Sequence, residues 1–296
     1  MDKARALGLF MFSGARELVV RSMFYELTQE SFGMYGQRPA PPELVEIIFG
    51  YIAMGFASDD AMEDNPLLID TIAGQLESYY TAPPRADLHP YARFLIEHVM
   101  RPLFSMVAPE YVHDLLRRHV RYVRAIRALH VSRNCEDYLS ARPYDIGFEP
   151  WQAFAMMVAD APGGTPYPVD EPISKCMLAS VLIQNDVASF EKELRSPSEP
   201  ANLVAILLRE NPAWTLEHAL ADIRERFWAP NLDTLRQQFS PSAMSLSPTL
   251  RSFARLLDGI TAWTFETGRY KSAASPFAEL LLPSVPLPLS AASVGT

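Results

Sequence analysis

The amino-acid sequence predicts an all-α fold. Apolar residues recur at the three- and four-residue spacing of a helix, as in the stripe formed by Tyr91, Phe94, Leu95 and Val99. The alternation of apolar and polar residues that marks a half-buried strand is scarce, and clusters of proline, glycine and asparagine interrupt the helical pattern. Together these three observations favour a bundle of helices joined by loops.

The elements follow in order along the chain. The apolar run over residues 44–56 predicts a buried helix that leads into an acidic cluster. Later helices are predicted over residues 115–129, 173–193, 201–208, 216–227 and 250–267. Thr215 is expected to cap the helix that follows it, with Glu217 in the first turn. Breaks are expected at residues 83–84, 162–164, 196–200 and 211–212.

Composition excludes several classes of function. The chain has 296 residues, of which 49% are hydrophobic, enough for one large helical domain or two small ones. Its net charge of −9 argues against a nucleic-acid partner. No run reaches the ~18 uncharged apolar residues of a membrane span, and Arg16 and Glu17 come too early for a signal peptide. We therefore expect a cytoplasmic protein with no membrane span.

The stretch over residues 185–193 carries the strongest chemical signal. Asn185, Ser189 and Glu193 recur at i, i+4 and i+8, so on a helix they share one face that drifts by about 40° per step. All three side chains present oxygen, which is the ligand atom that Mg²⁺ prefers, and Lys192 lies beside them. The stretch is therefore suited to holding a metal–diphosphate complex, although a solvated polar helix face has the same pattern.

A second acidic cluster follows the first predicted helix. Asp59, Asp60 and Glu63 stand close together, and clustered carboxylates repel one another unless a cation neutralises them. The alternative is an acidic helix end that leads into the break at Asn65 and Pro66.

Four segments, in this order along the chain, resemble the motifs of class I terpene synthases. They are the acidic cluster, the stretch over residues 138–147, the oxygen-bearing stretch over residues 185–193, and the sequence Trp-Thr-Phe-Glu-Thr-Gly-Arg-Tyr-Lys over residues 263–271. The resemblance covers most of the chain. Within that family the chain is most similar to the trichodiene synthase branch.

The resemblance implies a single α-helical domain over residues 1–271 around a deep apolar cavity. It implies three Mg²⁺ ions, bound by Asp59 as the principal ligand with Asp60 and Glu63, and by Asn185, Ser189 and Glu193. Residues 272–296 are rich in Pro, Ser and Ala and are expected to form a poorly ordered tail.

The resemblance also implies which residues meet the substrate. At a helix break, Arg142 would sense the diphosphate, Asp145 would link it to the carbonyl of Ile146, and Gly147 would permit the kink. The further diphosphate contacts would be Lys192, Arg269 and Tyr270. Without the resemblance, Arg142 could equally be a loop residue in a turn bounded by Pro143 and Gly147.

Aromatic residues near the metal motifs are expected to line the cavity, because a π-face stabilises a carbocation without reacting with it. Phe56 precedes Asp59 by less than one turn, and Trp263 precedes Arg269. Trp151 and Phe154 are further candidates, and ordinary core packing is the alternative for each.

An arginine-rich segment allows two interpretations. Its five arginines, at positions 117, 118, 121, 124 and 127, predict either a solvated or interface stripe or, less simply, a phosphate-facing surface. The stripe is favoured because the resemblance already accounts for the diphosphate contacts.

The expected function is a Mg²⁺-dependent cyclisation of a prenyl diphosphate, with farnesyl diphosphate favoured and geranylgeranyl diphosphate as the alternative. A chain-elongating prenyl transferase would carry a second aspartate-rich motif where this chain has Asn185, Ser189 and Glu193. A non-catalytic helical binding protein and a homodimer also stay open.

Overall fold

The computed structural model describes residues 28, 34–35, 38–63, 66–80, 87–130, 132, 134–159, 171–194 and 201–266. The fold is all-α, as predicted, apart from two short antiparallel strands, β1 (Met34–Tyr35) and β2 (Arg38–Pro39). Within the described ranges, no helix is both long enough and apolar enough to cross a membrane. The tail predicted over residues 272–296 lies outside these ranges.

Helices fill almost all of the described chain. They are α1 (Pro42–Glu63), α2 (Pro66–Glu77), α3 (Pro90–Phe94), α4 (Arg101–Leu103), α5 (Pro109–His130), α6 (Cys135–Asp145), α7 (Phe148–Ala159), α8 (Glu171–Leu194), α9 (Leu203–Glu210), α10 (Leu216–Ile223), α11 (Ala229–Gln238), α12 (Pro241–Leu246) and α13 (Pro248–Glu266). A 3₁₀ turn over Ser78–Tyr80 follows α2. The π-helical segments Leu95–Met100 and Arg224–Trp228 join α3 to α4 and α10 to α11.

The predicted helices are confirmed, with small shifts at their ends. The helix expected over 201–208 begins at Leu203, because Asn202 caps it by accepting a hydrogen bond from the Val204 N–H. Thr215 caps α10 as predicted, in a reciprocal pair of hydrogen bonds with His218. The segment expected as one helix over 216–227 instead passes from α-helical to π-helical geometry at Arg224.

In the part of the chain that the structure describes, buried apolar side chains form two clusters. The main core is built by α1 to α5, α7, the first half of α8, and α11 to α13. The smaller core is formed by the end of α5, by α6, by the second half of α8, and by α9 and α10. Ile146, between α6 and α7, packs against both clusters.

Helix α8 belongs to both cores. Met177 and Val181 face the main core, whereas Ile183 and Val187 face the smaller one. Burying one such side chain contributes roughly 1.5–3 kcal/mol relative to leaving it exposed. Because both halves of α8 are held by packing, the backbone that carries its polar side chains has a fixed position.

Candidate functional site

The oxygen-bearing face predicted on residues 185–193 lies on the second half of α8. Asn185 and Glu193 are half-buried, and Ser189 is 2% exposed. The hydroxyl oxygen of Ser189 is buried and makes no hydrogen bond in the described structure. A buried hydroxyl without a partner is unfavourable, and a cation would satisfy it, so the donor set fits a hard divalent metal.

Arg142 lies in the last turn of α6 and reaches across to this face. Its Nη2 atom donates a hydrogen bond of 2.9 Å to Oδ1 of Asn185, and its Nη1 atom forms an ion pair with Asp145. The Arg142 side chain is 12% exposed. The structure therefore brings together three predicted site residues, namely the diphosphate sensor, its linker and one metal ligand.

Asp186 also contacts Arg142, although it was not among the site residues predicted from the sequence. Its Oδ1 atom accepts hydrogen bonds from Nε and Nη2 of Arg142, at 3.3 Å and 3.2 Å. Its Oδ2 atom accepts from the Tyr138 hydroxyl at 2.5 Å and from the Leu203 N–H at 2.8 Å. Burial raises the pKa of Asp186 to about 6, against the opposing effect of Arg142.

A signal for Asp186 was nevertheless present in the sequence. Leu182, Ile183 and Phe190 lie three or four residues from Asp186 on α8 and are buried. A carboxylate on such an apolar stripe must be paired, because an unpaired buried charge is very unfavourable.

The predicted helix break lies between α6 and α7. Helix α6 ends at Asp145, and the Ile146 N–H donates to the Arg142 carbonyl at 3.1 Å. Gly147 has a φ of +69°, the left-handed conformation that glycine tolerates best. The alternative of a loop arginine bounded by Pro143 is wrong, because Arg142 and Pro143 both lie within the helix.

The aromatic candidates are buried where the structure describes them. Trp263 on α13 and Trp151 and Phe154 on α7 belong to the main core. Their burial fits both core packing and the lining of an apolar site. The side chain of Phe56 lies outside the described structure.

Several predicted site residues also fall outside the described side chains. Helix α1 runs through Asp59, Asp60 and Glu63, but their side chains are not described, and neither is that of Lys192. Helix α13 ends at Glu266, so Arg269 and Tyr270 lie beyond the described residues. Among the described side chains, no group of three or more His, Cys, Asp or Glu residues could hold a metal.

The middle of α8 is also hydrogen-bonded to α13. Thr261 on α13 donates a hydrogen bond of 2.9 Å to Oε1 of Gln184, the residue that precedes Asn185. This bond connects the helix with the predicted metal ligands to the helix that leads toward Arg269.

The arginine-rich segment forms one side of α5 and meets carboxylates. The ion pairs join Arg117 and Arg118 to Asp114, Arg118 and Arg121 to Glu149, Arg124 to Glu77, and Arg127 to Asp70. Three of these carboxylates belong to α2 and α7, so the arginines bridge helices. The structure therefore favours the interface stripe over the phosphate-facing surface.

Comparison with known families places most of the described chain in one of them. Residues 51–229 match the model of terpene synthase family 2, C-terminal metal binding. This match covers more than half of the chain and includes the acidic cluster, Arg142 and the oxygen-bearing face of α8. A search of curated proteins found no match.

Solved structures with the same fold include germacradien-4-ol synthase from Streptomyces citricolor, at 18% identity and a TM-score of 0.62, covering 89% of this chain and 87% of that one. Linalool/nerolidol synthase from Streptomyces clavuligerus, in complex with 2-fluorogeranyl diphosphate, has 18% identity and a TM-score of 0.65, with 90% and 91% covered. Hedycaryol synthase in complex with nerolidol has 18% identity and a TM-score of 0.56, with 88% and 91% covered.

Proposed function

The chain belongs to terpene synthase family 2, and on that premise we propose that it is a Mg²⁺-dependent cyclase of a linear prenyl diphosphate. The enzyme breaks the bond between the allylic carbon and the diphosphate oxygen, releases diphosphate, and closes the carbocation into a ring. The favoured substrate is farnesyl diphosphate, a C15 chain, and the product is then a sesquiterpene.

One observation carries this proposal. The Nη2 atom of Arg142, a side chain that can bind an anion, lies 2.9 Å from the Oδ1 atom of Asn185, an oxygen that can bind a cation. The same helix presents the unpaired buried hydroxyl of Ser189. A metal–diphosphate complex needs an anion-binding group and cation-binding oxygens side by side.

The metal would be held by two groups of residues. Asn185, Ser189 and Glu193 on α8 form one group, and Asp59, Asp60 and Glu63 on α1 form the other. We propose three Mg²⁺ ions in all. Bound there, Mg²⁺ supplies a positive charge that neutralises the departing diphosphate.

The protein's own groups would bind and orient the substrate. Arg142, Lys192, Arg269 and Tyr270 would donate hydrogen bonds to the diphosphate oxygens, whose charge grows as the bond breaks. Asp145 holds Arg142 by an ion pair at the helix break. The Ile146 carbonyl at this break would face the forming cation.

An apolar site would protect that cation from water. Phe56 and Trp263 would line it, with Trp151 and Phe154 as further candidates, and their π-faces would stabilise positive charge as the ring closes. The solved relatives support a prenyl ligand, since one holds a fluorinated geranyl diphosphate and another holds nerolidol. The similarity to the trichodiene synthase branch stays a prediction, as does a homodimer.

The first experiment is a product assay. The purified protein is incubated with farnesyl diphosphate and Mg²⁺, and the extract is analysed by gas chromatography and mass spectrometry. We expect a C15 hydrocarbon or alcohol that disappears when EDTA is added. Parallel reactions with geranyl and geranylgeranyl diphosphate test chain length, and a product only with the C20 substrate would make this a diterpene synthase.

A matched pair of variants separates an enzyme from a binding protein. Asn185→Ala/Glu193→Ala removes an amide and a carboxylate from the proposed metal site. Gln237→Ala/Glu225→Ala removes the same two groups from exposed positions. We expect only the first double variant to lose turnover. The proposed function would be contradicted if the wild-type protein formed no product and released no diphosphate with any of the three substrates.

A further inference from the structure

The geometry points to Asp186 as the positioning residue that fixes Arg142 against the metal-binding face of α8. This inference rests on the proposed function, because it assigns Arg142 the task of binding diphosphate. Asp186 would not touch the substrate. It would act by holding the guanidinium in the orientation that receives the substrate.

Arg142 is held on three sides. Oδ1 of Asp186 accepts from two of its nitrogens, at 3.3 Å and 3.2 Å. Asp145 binds a third nitrogen, and Asn185 accepts from Nη2. A guanidinium is planar with its donors in fixed directions, so partners on three sides determine its orientation.

Asp186 is itself held independently of Arg142. Its Oδ2 atom accepts from Tyr138 on α6 and from the Leu203 N–H in the first turn of α9. The Asn202 side chain donates a hydrogen bond of 2.8 Å to the backbone carbonyl of Asp186. The carboxylate, which is 1% exposed on α8, is therefore held by α6 and α9 before any ligand binds.

Asp145 cannot perform the same task alone. It lies three residues from Arg142 on the same helix, so it fixes the side chain relative to α6 only. Asp186 lies on α8, next to Asn185, and thus sets the position of Arg142 relative to the proposed metal ligands. Such positioning before binding is the kind of preorganisation on which electrostatic catalysis depends.

A simple charge argument makes the opposite prediction. Asp186 and Asp145 together give Arg142 two negative neighbours, so replacing one by a neutral amide would strengthen the attraction between Arg142 and diphosphate. If Asp186 only neutralised Arg142, Asp186→Asn would bind diphosphate more tightly. If Asp186 positions Arg142, the same variant binds it more weakly.

The test measures binding of inorganic diphosphate in the presence of Mg²⁺, by isothermal titration calorimetry on the full chain. We expect Asp186→Asn to weaken binding about tenfold, the effect of one misplaced charge-assisted contact. We also expect kcat with farnesyl diphosphate to fall by about a hundredfold, since a small displacement from the productive geometry has that effect. Tighter or unchanged binding would overturn the inference.

A double-mutant cycle tests whether Asp186 acts through Arg142. In an Arg142→Ala background, Asp186→Asn should have no further effect on diphosphate affinity, because the side chain that it positions is gone. Additive losses would contradict the inference. Leu207→Ala, a cavity variant in the same smaller core, should lower the melting temperature without changing diphosphate affinity.

Tyr138→Phe provides a second route should Asp186→Asn fail to fold. It removes one of the two hydrogen bonds that fix Oδ2, so the carboxylate that orients Arg142 is held less firmly. We expect a two- to fivefold weakening of diphosphate binding, less than for Asp186→Asn because the Leu203 N–H still holds Oδ2, and no effect in the Arg142→Ala background. Unchanged affinity would overturn the inference, whereas wild-type protein that binds no diphosphate with Mg²⁺ would overturn the proposed function as well.

Discussion

The hydroxyl oxygen of Tyr51 lies 2.7 Å from Nδ1 of His119, an imidazole that is 1% exposed. On the other side of the ring, the Tyr91 hydroxyl lies 2.9 Å from Nε2. A neutral imidazole has one donor and one acceptor nitrogen, so it satisfies both phenols. Burial lowers the pKa of His119 to about 3, and the neutral ring therefore joins α1, α3 and α5.

This arrangement predicts loss of stability in mild acid. His119 titrates near its ordinary pKa in the unfolded chain but near 3 in the folded one, so the unfolded state binds more protons between these values. The contribution of His119 to the free energy of unfolding should therefore fall by about 1.4 kcal/mol per pH unit below about pH 6.5. Urea unfolding should show a shallower decline for His119→Gln than for wild type between about pH 7 and about pH 4. If the stability of the two proteins changed with pH to the same extent, the low pKa of His119 in the folded state would be contradicted.

Asp258 on α13 should change the free energy of unfolding with pH in the opposite direction. Burial raises the pKa of this carboxyl to about 7, so the folded state binds more protons than the unfolded state from about pH 4 upward. Its contribution to stability is present in acid and is lost as the pH rises to about 7. Asp258→Asn should therefore be more stable than wild type at about pH 8, by roughly 1–2 kcal/mol because the group is partly exposed. At about pH 4 the two proteins should unfold at similar urea concentrations.

Gly147 should tolerate substitution poorly. Its φ is +69°, and a Cβ atom there would lie 3.3 Å from the Tyr122 ring. Gly147→Ala should lose about 1–2 kcal/mol, because L-residues are strained in this conformation. Gly74→Ala is the matched control, since Gly74 is helical and its Cβ would meet no atom within 4 Å. That variant should gain about 0.5–1 kcal/mol, and equal effects of the two changes on urea unfolding would be evidence against strain at Gly147.

The sequence predicted the helices that have strong local patterns. Helix α8 was expected over 173–193 and extends over Glu171–Leu194, because its apolar residues repeat at helical spacing on two faces. Helices α2, α7, α11 and α12 were not predicted. Helices α11 and α12 are short, and few of their residues are buried, so their sequences carry little periodicity. Helix α7 is buried along almost its whole length, so its apolar residues do not mark a single face. Packing against the rest of the bundle, more than local propensity, stabilises such helices.

The residues of the candidate site were likewise predicted only where the pattern is local. Asn185, Ser189 and Glu193 were found because their spacing along one helix is visible in the sequence. Asp186 and His119 were missed because their partners are distant in the chain. Tyr138 is 48 residues from Asp186, and Tyr51 is 68 residues from His119. Such pairs arise only when the helices pack, and a single sequence holds no record of that packing.

Two serines on α8 give the sharpest test of the metal site. Both Ser180 and Ser189 are 2% exposed. Being nine residues apart, they point to opposite sides of the helix, about 180° from each other. The Ser180 hydroxyl accepts a hydrogen bond from Asn231, whereas the Ser189 hydroxyl has no partner in the described structure. The same change to alanine should therefore have opposite consequences at the two positions.

Ser180→Ala should lower stability by about 1 kcal/mol, the usual contribution of one hydrogen bond, and leave turnover unchanged. Ser189→Ala removes a buried hydroxyl that has no partner, so stability should stay the same or rise slightly. Turnover should fall at least about tenfold and require more Mg²⁺, because one ligand is lost. The measurements are the melting temperature without metal and the Mg²⁺ dependence of product formation. If Ser189→Ala instead loses stability and keeps its Mg²⁺ dependence, Ser189 belongs to the packing of α8 and not to a metal site.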